Sequence, residues 1–213
     1  MRPTPRRKPR RLARADFERP TLRVARELLG KFIVHRHRGR RIAAMIAETE
    51  AYQGPKDRAS HAYGGRRTAR VEPLWREGGT VYVYLVYGMH WLLNFSTAGK
   101  GRPEGVLVRG VLVESRGGQD LISGPGKVTR HLRIDKRLDG ADVAASRQIS
   151  VEDRGVRIPP RRIRTGPRVG VDYAGRYWAA KPWRFRIETA PDSPTRAKPG
   201  RASRESASSR RPS

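Results

Sequence analysis

The most restrictive stretch of this sequence is Arg41–Tyr52. Its even positions are Ile42, Ala44, Ile46, Glu48, Glu50 and Tyr52. Side chains alternate between faces along a strand, so this period of two reads as one long strand, closed by Gly54-Pro55. One face of it starts apolar and ends in two carboxylates and an aromatic ring. A chain that contains this segment builds a sheet around it. It also places acid groups where an apolar face would otherwise continue.

The neighbouring patterns fit that sheet. Thr21–Leu29 carries Leu22, Ala25, Leu28 and Leu29 at helical spacing, with Gly30 as its stop. Lys31–His37 reads as a strand that Arg38-Gly39 turns into the long one. Thr80–Tyr87 and Trp91–Thr97 read as strands on either side of Gly88. Gly105–Glu114 is another strand, and Pro125–Leu132 is a short helix. Short links favour antiparallel pairing. The expected fold class is therefore α+β: a single domain, a mostly antiparallel sheet with flanking helices. The 213 residues suffice for one full core. That domain is expected over residues 15–189. Residues 1–14 mix Pro and Arg without periodicity and read as a disordered basic arm. Residues 190–213 read as a disordered Ser/Arg/Pro-rich tail. An Arg-rich, acid-poor start also suits an organellar transit peptide, a minor alternative.

The formal net charge is +27. Residues 1–14 contribute +7 and residues 191–213 contribute +4, which leaves +16 on the part expected to fold. A surplus of that size calls for a polyanionic partner, with nucleic acid ahead of an anionic membrane surface. No apolar run approaches the roughly 18 residues of a membrane helix, and no apolar stretch follows the N-terminal charges as in a secretory signal. No membrane partner is expected. The compact, arginine-rich chain points to a bacterial cytoplasm and nucleoid, or to a nucleus in a eukaryote, and to a monomer. Cysteine is absent, which excludes disulfides, a thiolate nucleophile and Cys-ligated zinc. His35 and His37 share a strand face among arginines and read as solvated, with no third ligand nearby. No metal and no cofactor are expected.

Burial raises a carboxyl pKa and neighbouring positive charge lowers it, a combination that suits a general base. A buried charge also requires a partner. Arg109 is the candidate, because it interrupts an apolar strand face between Leu107 and Val111. On pattern alone, Glu48 and Glu50 fit a general base, a Glu–Arg pair that fixes the sheet, or a solvated strand end. The cluster Tyr82, Tyr84, Tyr87, Met89, His90, Trp91 and Asn94 is similarly open. Aromatics beside basic surface suit stacking on bases, and aromatics in strands suit a core.

Longer motifs narrow these choices. "ETEAYQGPKDRASHAYGG" at Glu48–Gly65 resembles the signature of the alkyladenine (3-methyladenine) DNA glycosylase family. "RPTLRVARELLGK" at Arg19–Lys31, "GTVYVYLVYGMHWLLNFST" at Gly79–Thr97, "GVLVRGV" at Gly105–Val111, "SGPGK" at Ser123–Lys127 and "PRVGVDYAGRYWAAKPWRF" at Pro167–Phe185 resemble further family segments in the same order. The resemblance covers essentially the whole expected domain. It implies a repair enzyme that flips damaged purines out of double-stranded DNA and hydrolyses the glycosidic bond. It implies Glu50 as the residue that activates water, with Arg109 helping to hold that water. Tyr52, His61 and Tyr84 would form the base pocket, and Asn94 would crowd the exocyclic amino group of guanine. Tyr87 would fill the gap in the base stack, Met89 would press into the minor groove, and Lys127 would meet phosphate. It also implies hydrolysis without strand cleavage.

Two positions depart from the family pattern. Val71 follows Thr68-Ala69-Arg70 where Asn is frequent, and Gly126 stands where some members have Ser. Both positions bear on DNA grip. Charge and aromatics alone would equally fit a non-catalytic nucleic-acid-binding protein, which gives no reason for Glu48 and Glu50. A formyltransferase-like module is a fold-level analogy only.

Overall fold

The computed structural model describes residues 8–188. Among them are ten strands: β1 (Arg10–Arg11), β2 (Phe32–His37), β3 (Arg40–Tyr52), β4 (Val81–Val86), β5 (His90–Thr97), β6 (Glu104–Ser115), β7 (Gly118–Ser123), β8 (Ile149–Asp153), β9 (Ile163–Gly166) and β10 (Arg184–Ile187). Four short helices accompany them: α1 (Arg14–Phe17), α2 (Thr21–Glu27), α3 (Pro125–Leu132) and α4 (Arg176–Ala179). The fold is α+β, a single domain built on one curled sheet. Every strand pairing is antiparallel, as the short connections require.

The strand order is β1-β8-β2-β3-β6-β5-β4. β3 borders β2 along Arg40–Met45 and β10 along Glu48–Glu50. On its other edge lies β6, which itself borders β5 along Glu104–Leu107 and β7 along Gly110–Ser115. Both central strands thus change partners at the same level. The register between them slips there twice: Ile46 faces Val111, Glu48 faces Gly110 and Thr49 faces Val108. Ala47 and then Arg109 are the extra residues, two opposed bulges that bend the strands and re-aim their side chains. A Cβ on Gly110 would lie 3.0 Å from the Glu48 Cβ and 3.2 Å from its Oε2, so glycine makes room for Glu48 at this point. The strict alternation expected over residues 41–52 is broken by the first bulge, and both faces are covered from Ala44 to Ala51.

The main core lies where α2 and α3 cover the sheet. Val24, Ala25 and Leu28 from α2 and Val128 and Leu132 from α3 meet Ile46, Leu93, Phe95, Val106 and Val108 from the strands. Each large apolar side chain buried in this way contributes about 1.5–3 kcal/mol. The core therefore holds the β3–β6 level rigid from behind.

Two expectations change. Arg10–Arg11 belong to the sheet, although residues 1–14 read as a disordered arm. They pair with Asp153 and Glu152 of β8, Arg11 Nε donates to the Val143 carbonyl at 2.7 Å, and Leu12 is buried. An acidic strand and an apolar socket recruit a segment that composition alone assigns to solvent. Residues 1–7 and 189–213, and with them the tail expected over 190–213, lie outside the described residues. His35 is not solvated: it is buried, and its Nδ1 lies 2.8 Å from the Leu132 carbonyl oxygen. The end of α3 covers that side of β2, which the strand pattern cannot reveal.

Candidate active site

The β4–β5 hairpin, the ends of β3 and β6, the start of α3 and the segment 169–173 surround a cavity of about 800 Å³. Tyr52, His61, Tyr84, Asn94, Arg109 and Lys127 all line it, as does Tyr87. Seven of the nine side chains singled out from the sequence therefore share one wall system. Glu50 lies immediately behind that wall, and Met89 stands outside it on the hairpin tip.

Glu50 has no exposed side-chain surface. Its Oε1 accepts the Val169 N–H at 2.9 Å, and its Oε2 accepts the Tyr52 hydroxyl at 2.9 Å. Arg109 Nε stands 3.6 Å from Glu50 Oε1 and 3.6 Å from Glu48 Oε1, in ion-pair range but beyond a direct hydrogen bond. Arg184 of β10 approaches Glu48 at 3.5 Å. Burial pushes the Glu50 carboxyl above its ordinary range, against the Val169 N–H, Arg109 and the Tyr52 hydroxyl, which favour its charged form. Glu48 adds to the upward push. The bulge at Arg109 delivers this guanidinium between the two acids. Glu50 can therefore take up a proton more readily than an ordinary carboxylate, beside a fixed positive charge, as suits a general base.

The aromatic part follows from β4 and its neighbours. His61 packs edge-on against Tyr84, with ring centroids 4.6 Å apart, and its Nδ1 lies 2.8 Å from the Tyr82 hydroxyl. Burial, with Arg70 and Arg66 nearby, pushes the His61 pKa down to about 4, so the ring is neutral at pH 7 and keeps one N–H donor and one acceptor. Burial also raises the Tyr84 and Tyr52 hydroxyls, which stay protonated. Asn94 is buried on β5, and its amide donates to the Tyr82 carbonyl at 3.2 Å, which fixes the orientation of its head group. A cavity with flat rings, one neutral imidazole and one oriented amide suits a planar heterocycle.

The rim is polar and basic. Tyr87 and Gly88 form the β4–β5 turn with φ of +52° and +69°, the left-handed pair that tight hairpins favour. That turn leaves Tyr87 88% exposed and Met89 69% exposed. Two large side chains held side by side in solvent on a hairpin tip suit a wedge. Lys127 sits in the first turn of α3, whose opening residues Gly124, Pro125 and Gly126 face the cavity. A Cβ on Gly126 would lie 3.0–3.2 Å from the His90 Cγ, Cβ and Nδ1 atoms, so His90 crowds the space that a serine would need. Val71, the other departure, is buried with Leu74 and Tyr82 beneath Tyr84 and props the slot from inside.

Side-chain reasoning missed two contributors. Val169 acts through its backbone N–H, which carries no sequence signature. Tyr82 stood in the aromatic cluster, but its role as the His61 partner depends on the β4 register.

Residues 15–191 match the family model described as methylpurine-DNA glycosylase. A protein from Desulfitobacterium hafniense (strain Y51) is 41% identical over 202 residues, covering 84% of this chain and 96% of its own. One from Methanocella arvoryzae is 43% identical over 192 residues, covering 84% and 94%. One from Anaeromyxobacter sp. (strain Fw109-5) is 46% identical over 180 residues, covering 84% and 89%. All three carry the description "Putative 3-methyladenine DNA glycosylase". Fold, cavity and relatives together define a DNA glycosylase, an enzyme that hydrolyses N-glycosidic bonds in DNA. The chain belongs to the methylpurine-DNA glycosylase family. The reading as a non-catalytic nucleic-acid-binding protein falls with that membership. Among the described residues no helix is long and apolar enough to cross a membrane.

Proposed function

We propose that this enzyme excises damaged purines, 3-methyladenine and other alkylpurines first, from double-stranded DNA, with Glu50 as the general base. The carrying observation is the buried Glu50 carboxylate, held by the Val169 N–H and the Tyr52 hydroxyl beside Arg109 at the cavity wall. The target base rotates out of the duplex at a cost of about a few kcal/mol in stacking and pairing. Tyr87 and Met89 offset part of that cost by filling the gap and pressing on the groove, while Lys127 holds a backbone phosphate. The base enters between Tyr52 and Tyr84, and His61 hydrogen-bonds its edge. Asn94 crowds the position where guanine carries its amino group.

An alkylated purine carries positive charge, so it stacks well on tyrosine and leaves readily. Water adds to the sugar C1′ as the bond from C1′ to the base nitrogen breaks. The bonding pair leaves with the base, and the water proton passes to Glu50. Arg109 balances the charge of Glu50 and helps to hold the water. A neutral base such as hypoxanthine or ethenoadenine has to gain a proton as it leaves. A water nucleophile yields an abasic site with an intact strand. One chain carries every residue the scheme uses, so a monomer suffices, acting at the nucleoid of a bacterium or in the nucleus of a eukaryote.

The test is a set of duplexes carrying hypoxanthine or 1,N6-ethenoadenine, with methylated DNA containing 3-methyladenine, incubated in ¹⁸O-labelled water. Released base, with label on the abasic sugar and no strand break before alkali treatment, is the expected result. Release coupled to strand cleavage would refute the hydrolytic scheme. Absence of release from every substrate would refute the lesion class.

A further inference from the structure

Behind the cavity lies an ion pair that the scheme above does not use. Arg168 and Asp57 both have fully buried side chains. Arg168 Nη1 donates to Asp57 Oδ2 at 2.5 Å and to the Ala51 carbonyl at 3.0 Å. Its Nη2 donates to Asp57 Oδ1 at 2.9 Å and to the Trp178 carbonyl at 3.3 Å. The guanidinium is also sandwiched between rings, 4.7 Å from the Tyr52 centroid and 4.9 Å from that of Trp183. Asp57 in turn accepts the backbone N–H groups of Gln53 and Ala59. One guanidinium therefore joins the end of β3, the loop after it and the C-terminal segment.

Its place beside Glu50 gives this junction a consequence. The next residue, Val169, supplies the N–H that meets Glu50 Oε1, and Tyr52, which lies against the guanidinium, supplies the hydroxyl that meets Oε2. Both hydrogen bonds to the carboxylate are thus carried by groups that Arg168 holds. We propose that Asp57 and Arg168 are a positioning pair, which sets the Val169 N–H and the Tyr52 hydroxyl on Glu50 and so fixes the orientation of the base. The inference rests on Glu50 being that base.

The remaining charged groups at Glu50 come from other elements: Glu48 on β3, Arg109 on β6 and, through Glu48, Arg184 on β10. Neither member of the pair hydrogen-bonds to any of these three. Loosening it removes the two hydrogen bonds that favour the carboxylate and leaves the burial that opposes it. Glu50 then needs a higher pH to lose its proton.

The experiment uses the full chain and a hypoxanthine or ethenoadenine duplex, whichever the wild type excises, with single-turnover rates measured from pH 5 to 9. Arg168→Lys keeps the charge but loses the bidentate fork. Asp57→Asn keeps the shape. Val169→Pro removes the N–H while keeping both side chains of the pair, at the cost of a fixed φ at residue 169 and a restricted backbone at Arg168. Each variant is assayed as folded protein, checked by circular dichroism. Expected are rates about 10- to 100-fold lower at pH 7, little change in duplex affinity, and an acid limb displaced to higher pH in all three. Should Arg168→Lys and Asp57→Asn not fold, Val169→Pro still tests the hydrogen bond through which the pair acts, and an unmoved acid limb in it overturns the proposal. An acid limb that stays at the wild-type position in the folded variants overturns the proposal. Glu50→Gln serves as the control. If it is inactive while the pair variants behave as wild type, only the positioning role fails; if it excises normally, the general-base reading fails as well.

Discussion

Gly126 and His90 form a contact whose energy can be worked out. Replacing Gly126 by serine places a Cβ 3.0–3.2 Å from the His90 Cγ, Cβ and Nδ1 atoms. Overpacking of this kind costs about 1–3 kcal/mol. Gly126 lies in the first turn of α3 with ordinary helical geometry, so serine returns about 0.5 kcal/mol of helix propensity. Gly126→Ser should therefore destabilise the protein by about 0.5–2.5 kcal/mol, a fall in Tm of about 1–10 °C for a domain of this size. In a His90→Ala background the Cγ and Nδ1 contacts are gone and only that to Cβ, at 3.1 Å, remains, so the same substitution should cost less. Chemical denaturation of the four proteins in this cycle gives the coupling directly. A coupling of about 1 kcal/mol or more supports the packing argument. Equal costs in both backgrounds would refute it and leave Gly126 without a steric reason.

Three further outcomes follow from the geometry. His61 is held neutral with a pKa of about 4, below its usual 6.5, so acidification between those values charges the unfolded chain and not the fold. Stability should fall as pH drops through that window, by up to about 3 kcal/mol, and the fall should shrink in His61→Gln, measured by urea unfolding at pH 7 and pH 4. The raised Glu50 pKa works in the opposite sense: its favourable contribution is complete at acid pH and is lost as pH rises through the folded value. The Tm of Glu50→Gln relative to wild type should therefore improve from pH 4 to pH 7, and a constant difference would contradict the shift. Tyr87→Ala and Met89→Ala should leave the Tm almost unchanged, because these side chains are exposed, yet weaken binding to lesion duplexes in fluorescence anisotropy.

The sequence pattern located the main strands because their periodicity and turn residues are local. β3, the β4–β5 pair, β6 and α3 are examples. β7 through β10 escaped it. β8 and β10 are short and gain their identity from partners far away in the chain, Phe32–His35 for one and Glu48–Glu50 for the other. The two bulges at Ala47 and Arg109 were also invisible, since register is a property of a pair of strands. In the site, side chains with distinctive chemistry were legible: Glu50, Arg109, Tyr52 and His61. Alternation alone left Glu50 and Glu48 equivalent, and family motifs separated them. The structure gives a physical difference: Glu50 accepts the Val169 N–H and the Tyr52 hydroxyl, while Glu48 meets Arg109 and Arg184. The Val169 N–H and the Asp57–Arg168 pair lay beyond reach because backbone donors and long-range pairs leave no periodic trace.

The central claim is that the Glu50 carboxylate, and not merely the cavity around it, performs the chemistry. Glu50→Gln keeps the size of the side chain and an acceptor oxygen for the Val169 N–H, while it removes the basicity together with the charge that faces Arg109. The decisive measurement is single-turnover excision by wild type and Glu50→Gln on one lesion duplex, with the Kd of each for that duplex measured alongside. The account predicts a rate loss of about 10²–10⁴-fold, the range for a general base, at nearly unchanged Kd. Excision by Glu50→Gln at the wild-type rate would contradict it.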